Sequence, residues 1–415
     1  MNDVKLDKMG GLMQVKAFGQ TDTGLKRSHN EDAFKICEDI QLYIVCDGVG
    51  GLAAGEVASQ MACVRIAERL RERVDVIESF GRLSSAGNRL AVLDCVREAI
   101  AGTSREIWEL SQQDEGERKR ATTLVMVLVV GDDAFVAHVG DSRLYLFRGS
   151  EGFQLTEDHT YVNELVKNGK LTEEEAKNHP QAHVITKALG FRSALEIETL
   201  HMELENDDRL LLCSDGLYHY FSTEQFGKLM KGVDGGKFNE LAIAQANALG
   251  GRDNITSLHL QVSAEGKKDH ATGVSQKIAV LKRIALFKAL SFKELAKVLE
   301  IIKIKSFAEK TLIIHEGDMG DEMYIILLGS VDVMISNKTI KTIPKGAYFG
   351  EMALVDKEIR SASILAREPT KTLVIQRDDL LSLFKRENRI GLKMMWAMLQ
   401  HANARLRGND KKVYR

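Results

Sequence analysis

The sequence predicts an α+β protein of two domains, judged from its periodicity, a polar linker and its charge distribution. Short apolar runs typical of buried strands alternate with longer stretches of helical periodicity, and neither kind dominates the chain. Residues 264–276 are polar and aperiodic, which predicts a linker between a domain at 12–263 and a domain at 277–407. A length of 415 residues is enough for two or three domains with their own cores.

The two parts of the chain carry opposite net charge. Residues 1–263 contain 29 Lys/Arg and 41 Asp/Glu, a net charge of −12, whereas residues 264–415 contain 28 and 18, a net charge of +10. Opposite charges predict domains that attract each other. A basic second part is also found in nucleic-acid-binding proteins, but scattered solvated lysines are the simpler explanation, and we expect no nucleic-acid partner.

Composition excludes several classes of protein. With 44% apolar and 28% charged residues, the chain is not of the disordered class. Its five cysteines all lie in the first part without close pairs, so neither a disulfide framework nor a zinc site is indicated. The longest apolar run, Leu124–Val130, is too short to cross a bilayer, and the polar N-terminus is unlike a secretory signal. We therefore expect a cytoplasmic protein without a membrane partner.

Periodicity places the main elements. In the first part we predict strands at Leu42–Cys46, Thr123–Val130, Ala134–Val139, Leu144–Phe147, Leu210–Cys213 and Thr256–Val262. Helices are predicted at Gly55–Val74 and Leu90–Gln112, with a small helical insertion at 159–178 that Thr172 caps. After the linker we predict two short helices in 277–302 and strands at Lys303–Phe307, Thr311–His315, Met323–Gly329, Ser330–Ile335 and Lys338–Ile343. A last amphipathic helix is predicted at Arg377–Arg407, with a break near Gly391.

Acidic residues recur in the first part where strands meet tight turns. They are Asp47, Asp141, Asp215 and Asp253, together with the pair Glu31 and Asp32. Carboxylates without His or Cys partners supply hard oxygen ligands, which favours Mg²⁺ or Mn²⁺ over zinc. Any single Asp-Gly is explained by the turn alone. Five such turns in one domain weaken that explanation without fixing a reaction.

Eight short motifs in the first part identify a family resemblance. In order they are GLKRSHNEDAF, CDGVGGLAAGEVAS, ATTLVMVLV, AHVGDSRLYLFR, LTEDHT, ITKALG, LLLCSDGL and GGRDNIT. Their order and spacing resemble the bacterial form of the metal-dependent Ser/Thr protein phosphatases of type 2C over residues 12–263. The resemblance implies a two-layer β-sandwich flanked by helices, with layers in the order αββα. It also implies hydrolysis of phosphoserine and phosphothreonine in proteins.

The resemblance implies a metal site with two Mn²⁺ or Mg²⁺ ions and, in bacterial members, a third. It assigns the two-ion shell to Asp47 with the Gly48 carbonyl, Asp215 and Asp253, water-holding or orienting positions to Glu31 and Asp32, and the third ion to Asp141 with Asp215. Arg27 matches the arginine that grips the substrate phosphate, for which its planar fork suits two oxygens. Two such ions activate a water that attacks phosphorus in line. Val49 stands where eukaryotic members have a histidine proposed as general acid, so the leaving-group proton needs another source.

Other residues near these motifs have simpler explanations. Cys46 and Cys213 precede site aspartates at strand positions and are expected in the core. Catalytic roles are conceivable for three histidines, but structural roles are the expectation for His138, His159 and His183.

Two passages in the second part indicate a ligand site. HEGDMGDEMYIILLGSVDV has the turn spacing of a small β-barrel. In FGEMALVDKEIRSASI, Gly350-Glu351 opens a predicted helical turn and Arg360 follows ten residues after Gly350. Exposed backbone N–H groups beside an arginine make an anion pocket, and a glutamate can accept from a sugar hydroxyl. An ordinary ion pair between Glu351 and Arg360 explains these two residues equally well.

Together the two passages resemble the cyclic-nucleotide-binding domain over residues 280–400, which implies a β-roll or jelly roll with flanking helices. The resemblance assigns Glu351 to the ribose 2′-hydroxyl and Arg360 to the cyclic phosphate. The remaining cassette positions are Gly350, Met352, Ala353, Ser361 and Ala362. Serine at position 361 resembles bacterial cyclic-AMP regulators, so we expect cyclic AMP rather than cyclic GMP. Trp396 could stack on the purine, but we expect the last helix to pack its Met394–Leu399 segment on the barrel.

Two functions from different classes follow. The first is a Ser/Thr protein phosphatase whose activity a cyclic nucleotide sets, with the last helix reorienting on binding. The second is a cyclic-nucleotide sensor or scaffold with a weak or inactive phosphatase domain, against which the complete set of aspartates argues. A nucleotide-dependent transcription regulator would need a helix-turn-helix after the binding domain, and about 15 residues after Leu399 are too few.

Overall fold

The structure is a computed structural model that describes residues 13–50, 54–113, 120–264, 274–355 and 359–413. The chain divides into two compact units, Met1–Asp269 and His270–Arg415. Most of the predicted linker, at 265–273, lies outside the described residues. Among the helices that are described, none is both long and apolar enough to span a membrane.

The first unit contains two antiparallel sheets. Its strands are β1 (Met13–Asp22), β2 (Asp32–Cys37), β3 (Leu42–Val49), β4 (Ala121–Thr122), β5 (Leu124–Val130), β6 (Asp133–Val139), β7 (Arg143–Arg148), β8 (Glu151–Gln154), β9 (Glu198–Glu203), β10 (Arg209–Cys213) and β11 (Ile255–Ala264). One sheet has the order β1-β11-β10-β7-β8, and the other has the order β2-β3-β5-β6-β9 with β4 paired to β3. All six strands predicted for this part lie within these sheets.

Helices cover the outer face of each sheet. The helices of this unit are α1 (Ala54–Arg71), α2 (Val74–Arg82), α3 (Ala86–Gln113), α4 (Tyr161–Lys167), α5 (Glu173–Lys177), α6 (Asp215–Tyr218), α7 (Thr223–Leu229) and α8 (Gly235–Ala248), of which α4 and α5 lie outside these two layers. Along β3, Leu42 and Ile44 pack in the core that α1 to α3 form, whereas the intervening Tyr43 and Val45 are buried on the opposite face, toward the second sheet. Helices α6 to α8 cover the other sheet in the same way. The layer order αββα is confirmed.

The predicted helical insertion in the first unit is also confirmed. It contains α4 and α5, and Thr172 caps α5 by accepting from the Glu175 N–H at 3.2 Å. The Glu175 carboxylate accepts in return from the Thr172 N–H at 2.8 Å, which completes a capping box. We call residues 159–190 the flap.

The second unit is a β-roll with helices at both ends. Its helices are α9 (Val274–Arg283), α10 (Phe292–Leu299), α11 (Arg377–Arg386) and α12 (Asn388–Val413). Its strands are β12 (Ile302–Phe307), β13 (Leu312–Ile314), β14 (Glu322–Leu328), β15 (Val331–Ile335), β16 (Lys338–Ile343), β17 (Tyr348–Phe349), β18 (Ser363–Ala366) and β19 (Thr370–Gln376). They form two four-stranded antiparallel sheets, β12-β19-β14-β17 and β13-β18-β15-β16, around an apolar core.

The last predicted helix is interrupted, but not at Gly391. The helix ends at Arg386 and restarts at Asn388, because Glu387 between them has a non-helical backbone (φ −127°, ψ 71°). Gly391 lies inside α12, where a Cβ would be only 3.1 Å from the ring of Phe384. This glycine therefore serves close packing of α12 against α11, and the break comes four residues earlier than predicted.

Candidate active site and nucleotide pocket

The predicted acidic residues of the first unit converge at strand ends of both sheets. Asp32 and Asp47 are cross-strand partners on β2 and β3, and Asp141 follows β6 after a left-handed Gly140 (φ 99°). From the other sheet come Asp215, at the start of α6 after β10, and a residue just before β11, Asp253. We call Glu31, Asp32, Asp47, Asp141, Asp215 and Asp253 the carboxylate cluster.

The backbone of Asp47 is fixed by two threonines. The Thr123 hydroxyl accepts from the Asp47 N–H at 2.9 Å, and the Asp47 carbonyl accepts from the Thr122 hydroxyl at 2.9 Å and the Thr123 N–H at 2.8 Å. Next to it, Gly48 allows a close approach, because a Cβ there would be 2.4 Å from the carbonyl oxygens of Glu31 and Gly55. The backbone that carries the Asp47 carboxylate is therefore held in place at the end of β3.

Asp32 is a buried member of the carboxylate cluster and is held by residues of both sheets. Its Oδ2 accepts from the Ser214 hydroxyl at 2.7 Å and from the Thr256 hydroxyl at 2.6 Å, which ties β2 to the second sheet. Its Oδ1 and the Oδ1 of Asp215 are buried without a hydrogen-bond partner in the part of the chain that the structure describes. Two such buried carboxylate oxygens indicate a site for a cation.

Electrostatics supports the same conclusion. Burial, with the charges of neighbouring aspartates, raises the pKa of Asp32 to about 7 and that of Asp141 to about 8. The pKa of Asp47 is raised well above its usual range for the same reasons, and burial also raises the pKa of Asp215. These carboxylates cannot all be charged at neutral pH unless cations join them. Their hard oxygen atoms fit Mg²⁺ or Mn²⁺.

Arg27 lies at the exposed edge of the carboxylate cluster. Its Nη2 donates to Asp253 Oδ2 at 2.7 Å, and its side chain is 49% exposed. The loop that carries it is held by Asn254, whose amide donates to the carbonyls of Thr23 and His29, both at 2.9 Å. The Asn254 Oδ1 accepts from the Glu31 N–H at 2.9 Å. Asn254 lies in the motif GGRDNIT, but nothing in the spacing of that motif indicates that its side chain holds the Arg27 loop.

Four histidines of the first unit form two pairs. His138 and His159 are buried and stacked at 4.9 Å, and the His159 Nδ1 accepts from the Gly140 N–H at 3.1 Å. Through this bond His159 supports the turn that carries Asp141, and the structural role expected for these two histidines stays a prediction. His183 is exposed and lies beside His219, with ring centroids 5.0 Å apart. His219 was not singled out from the sequence.

Cys46 and Cys213 are fully buried, as predicted for core residues. Burial raises the pKa of both thiols, so neither is a thiolate nucleophile at neutral pH.

In the second unit, Gly350 and Arg360 meet at the predicted cassette. Gly350 is left-handed (φ 76°) and precedes a 3₁₀ helix, Glu351–Leu354, which confirms the predicted helical turn. The Arg360 Nη2 donates to the Glu322 carbonyl at 2.8 Å and its Nη1 to the Gly350 carbonyl at 3.3 Å. A Cβ on Gly320 would be 1.9 Å from the Arg360 Nε, so this glycine makes room for the guanidinium. The arginine is thus positioned by β14 before any ligand arrives.

The other cassette residues differ in exposure. Met352 and Ser361 are exposed, Glu351 and Ala362 are half-buried, and Ala353 is buried. Residues 356–358 of the cassette lie outside the described residues.

The expected packing of the last helix is wrong for most of its apolar residues. Met394 is buried, but Met395, Trp396 and Leu399 are exposed, Trp396 to 64%. The reason is the phase of α12, since Ile390, Gly391 and Met394 occupy its packed side. With Leu392, the exposed residues form an i, i+3, i+4, i+7 stripe on the opposite side.

Comparison with known proteins agrees with this architecture. The first unit has a fold similar to that of serine/threonine phosphatases. A structure of the Streptococcus agalactiae serine/threonine phosphatase is 34% identical in sequence, with a TM-score of 0.53, and the match covers 60% of this chain and 99% of that chain. A structure of the catalytic domain of the phosphatase PstP in complex with two manganese ions is 30% identical, with TM-score 0.50, covering 61% and 99%. The serine/threonine phosphatase Stp of Listeria monocytogenes is 32% identical over 58% of this chain and 92% of its own length.

Residues 25–259 match the family model of protein phosphatase 2C, and residues 304–387 match that of the cyclic nucleotide-binding domain. The chain therefore belongs to the protein phosphatase 2C family. It is a protein Ser/Thr phosphatase with a C-terminal cyclic nucleotide-binding domain.

Proposed function

We propose that the protein hydrolyses phosphoserine and phosphothreonine in proteins with the help of Mn²⁺ or Mg²⁺, and that a cyclic nucleotide regulates this activity. The observation that carries the catalytic part is the carboxylate cluster, with its raised pKa values and its two unpartnered buried oxygens. We place the phosphatase at 12–263, the linker at 264–276 and the nucleotide-binding domain at 277–407.

The carboxylate cluster would hold the ions. Asp47, the Gly48 carbonyl, Asp215 and Asp253 would form the shell of two ions, Glu31 and Asp32 would hold or orient their waters, and Asp141 with Asp215 would take a third. Divalent ions at such a site supply an activated water and neutralise phosphate charge.

The protein's own groups position the substrate. Arg27 has five N–H donors, of which one is directed to Asp253, so others are available to two oxygens of a phosphate. The half-exposed position of its side chain places these donors where a phosphorylated chain can reach them. Because the Asp253 contact orients the guanidinium, the fork meets the phosphate with little loss of side-chain entropy.

The catalytic proposal is tested by removing one carboxylate of the cluster. Asp47→Asn is expected to lower kcat for a phosphothreonine peptide by at least about a hundredfold in saturating Mn²⁺. Asp94→Asn is the matched control, because this aspartate lies on the surface of α3 and pairs only with Arg97 in the ion pairs described. Equal kcat in Asp47→Asn and the parent protein would overturn the assignment.

The nucleotide pocket would be formed by the cassette, with Arg360 at the cyclic phosphate and Glu351 at the ribose. Gly350, Met352, Ala353, Ser361 and Ala362 would complete it. The preformed position of Arg360 supports this assignment, and the serine at 361 favours cyclic AMP over cyclic GMP. Exposed Trp396 is available to cover the base.

Arg360→Ala is expected to abolish saturable cyclic AMP binding in calorimetry. Arg367→Ala, which changes an exposed arginine of the same β-roll, is the matched control and is expected to retain binding.

A further inference from the structure

His183, His219 and Asp215 form a cluster with a different ligand chemistry from the carboxylate cluster. One ligand atom from each lies within 4.8 Å of the others. The His219 Nδ1 is 3.7 Å from Asp215 Oδ2, and the two imidazole rings meet edge to face at 77°. We propose that these residues bind one zinc-like divalent ion, and that this ion inhibits the phosphatase by drawing Asp215 away from the carboxylate cluster.

The residue types fit this class of ion. Two imidazoles and one carboxylate are typical ligands of Zn²⁺, whereas Mg²⁺ and Mn²⁺ prefer oxygen ligands alone. Tetrahedral zinc with ligand bonds of about 2.0–2.1 Å places its ligand atoms about 3.4 Å apart. The His219–Asp215 separation of 3.7 Å is already close to that value.

The local fold holds two of the ligands together. Asp215 and His219 are four residues apart on α6 and its C-terminal cap, which puts both side chains on one side of the helix. The His219 N–H donates to the Asp215 carbonyl at 3.1 Å, so the backbone spacing is fixed. The Asp215 oxygen that faces His219 is Oδ2, whereas the buried Oδ1 without a hydrogen-bond partner among the residues described is the one assigned above to the carboxylate cluster, so the two sites share this side chain.

The third ligand comes from the flap. The backbone on both sides of His183 is anchored: before it the Ala182 N–H donates to the His179 carbonyl at 3.0 Å, and after it the Val184 carbonyl accepts from the Tyr161 N–H at 2.8 Å. The exposed side chain of His183 can rotate toward the ion without disturbing these bonds. A bound ion would therefore cross-link the flap to α6.

Binding and inhibition are separate consequences. Binding needs only the three side chains and does not depend on the proposed catalytic metal site. Inhibition rests on the proposed function, because it follows from sharing Asp215 with the Mn²⁺ or Mg²⁺ shell.

The test measures Zn²⁺ and Co²⁺ directly on the full-length protein after chelator treatment. Zn²⁺ affinity, measured by competition with a chromophoric chelator, is expected to fall at least about tenfold in His183→Asn and in His219→Asn. Visible spectra with Co²⁺ are expected to show imidazole ligation that both variants lose. The matched control is His179→Asn, since His179 lies in the same flap but contacts Tyr161 at 6.3 Å between ring centroids. It is expected to bind both ions as the parent does.

Hydrolysis in Mn²⁺ is then titrated with Zn²⁺, and each variant is compared with its own rate without Zn²⁺. The expected result is a rise of at least about tenfold in the inhibitory Zn²⁺ concentration for both histidine variants but not for His179→Asn. Equal Zn²⁺ affinity in all four proteins overturns the site. If the affinities change as expected while the inhibitory concentrations do not, the inhibitory role is overturned. Absence of Mn²⁺-dependent hydrolysis in the parent contradicts the proposed function, and the affinities still decide the zinc site.

Discussion

Replacing Asn254 tests how the substrate-binding edge of the active site is built. This side chain makes three hydrogen bonds to the loop that carries Arg27, and the residue is only 4% exposed. At about 1 kcal/mol for each buried hydrogen bond, Asn254→Ala is expected to cost about 3 kcal/mol of stability in the first unit. The loop would also lose the bonds that place Arg27, so KM for a phosphopeptide is expected to rise.

The assay follows unfolding of the first unit alone. The chain has two tryptophans, Trp108 on α3 and Trp396 on α12, so a Trp396→Phe background makes fluorescence report the first unit. Urea unfolding and steady-state kinetics are compared between Asn254→Ala and Asn206→Ala, an exposed asparagine of the same unit. Equal unfolding midpoints and equal KM in the two variants would show that Asn254 neither stabilises nor positions the Arg27 loop.

Three further predictions concern the pocket, the carboxylate cluster and the core. Gly320→Ala places a Cβ 1.9 Å from the Arg360 Nε and so forces the guanidinium out of its position. The affinity for cyclic AMP measured by calorimetry is therefore expected to fall at least about tenfold, and an unchanged affinity would contradict this. In the presence of a chelator, Asp32→Asn removes a buried carboxylate whose pKa is raised to about 7, so its charge no longer opposes folding at neutral pH. The free energy of unfolding measured with urea is expected to rise by about 1–2 kcal/mol, and a fall in that free energy would contradict this. Burial lowers the pKa of His259 to about 3, so the folded state keeps this imidazole neutral while the unfolded state takes up a proton below about pH 6.5. The folding free energy that neutral His259 allows is therefore fully present above about pH 6.5 and is lost as the pH falls. His259→Gln is expected to flatten the decline in stability between pH 6.5 and 4.5 by up to about 1.4 kcal/mol per pH unit, and an unchanged slope contradicts this.

The sequence predicted the strands with strong apolar runs and the acidic residues at their ends. It did not indicate β1, because that strand alternates partly buried and exposed residues and lacks a continuous apolar run. The relation between Asn254 and Glu31, which are 223 residues apart, depends on which strand ends meet. Local spacing carries no such information.

The same limit applies to the histidines and the last helix. His183 and His219 meet only because the flap folds back beside α6, and neither residue has a local pattern that indicates a partner. On α12, the apolar residues cover two sides, so composition predicted packing but not which side is packed. That choice depends on the contact of Gly391 with Phe384 on α11.

The proposed function requires that this one chain couple cyclic-nucleotide binding to phosphoprotein hydrolysis. The most direct measurement is the rate of phosphothreonine-peptide hydrolysis by the full-length protein in Mn²⁺, titrated with cyclic AMP and separately with cyclic GMP. We expect a saturable change in rate with cyclic AMP at lower concentration than with cyclic GMP, which Arg360→Ala loses and Arg367→Ala keeps. A Mn²⁺-dependent rate that neither nucleotide changes at concentrations that saturate binding would show that the two activities are not coupled.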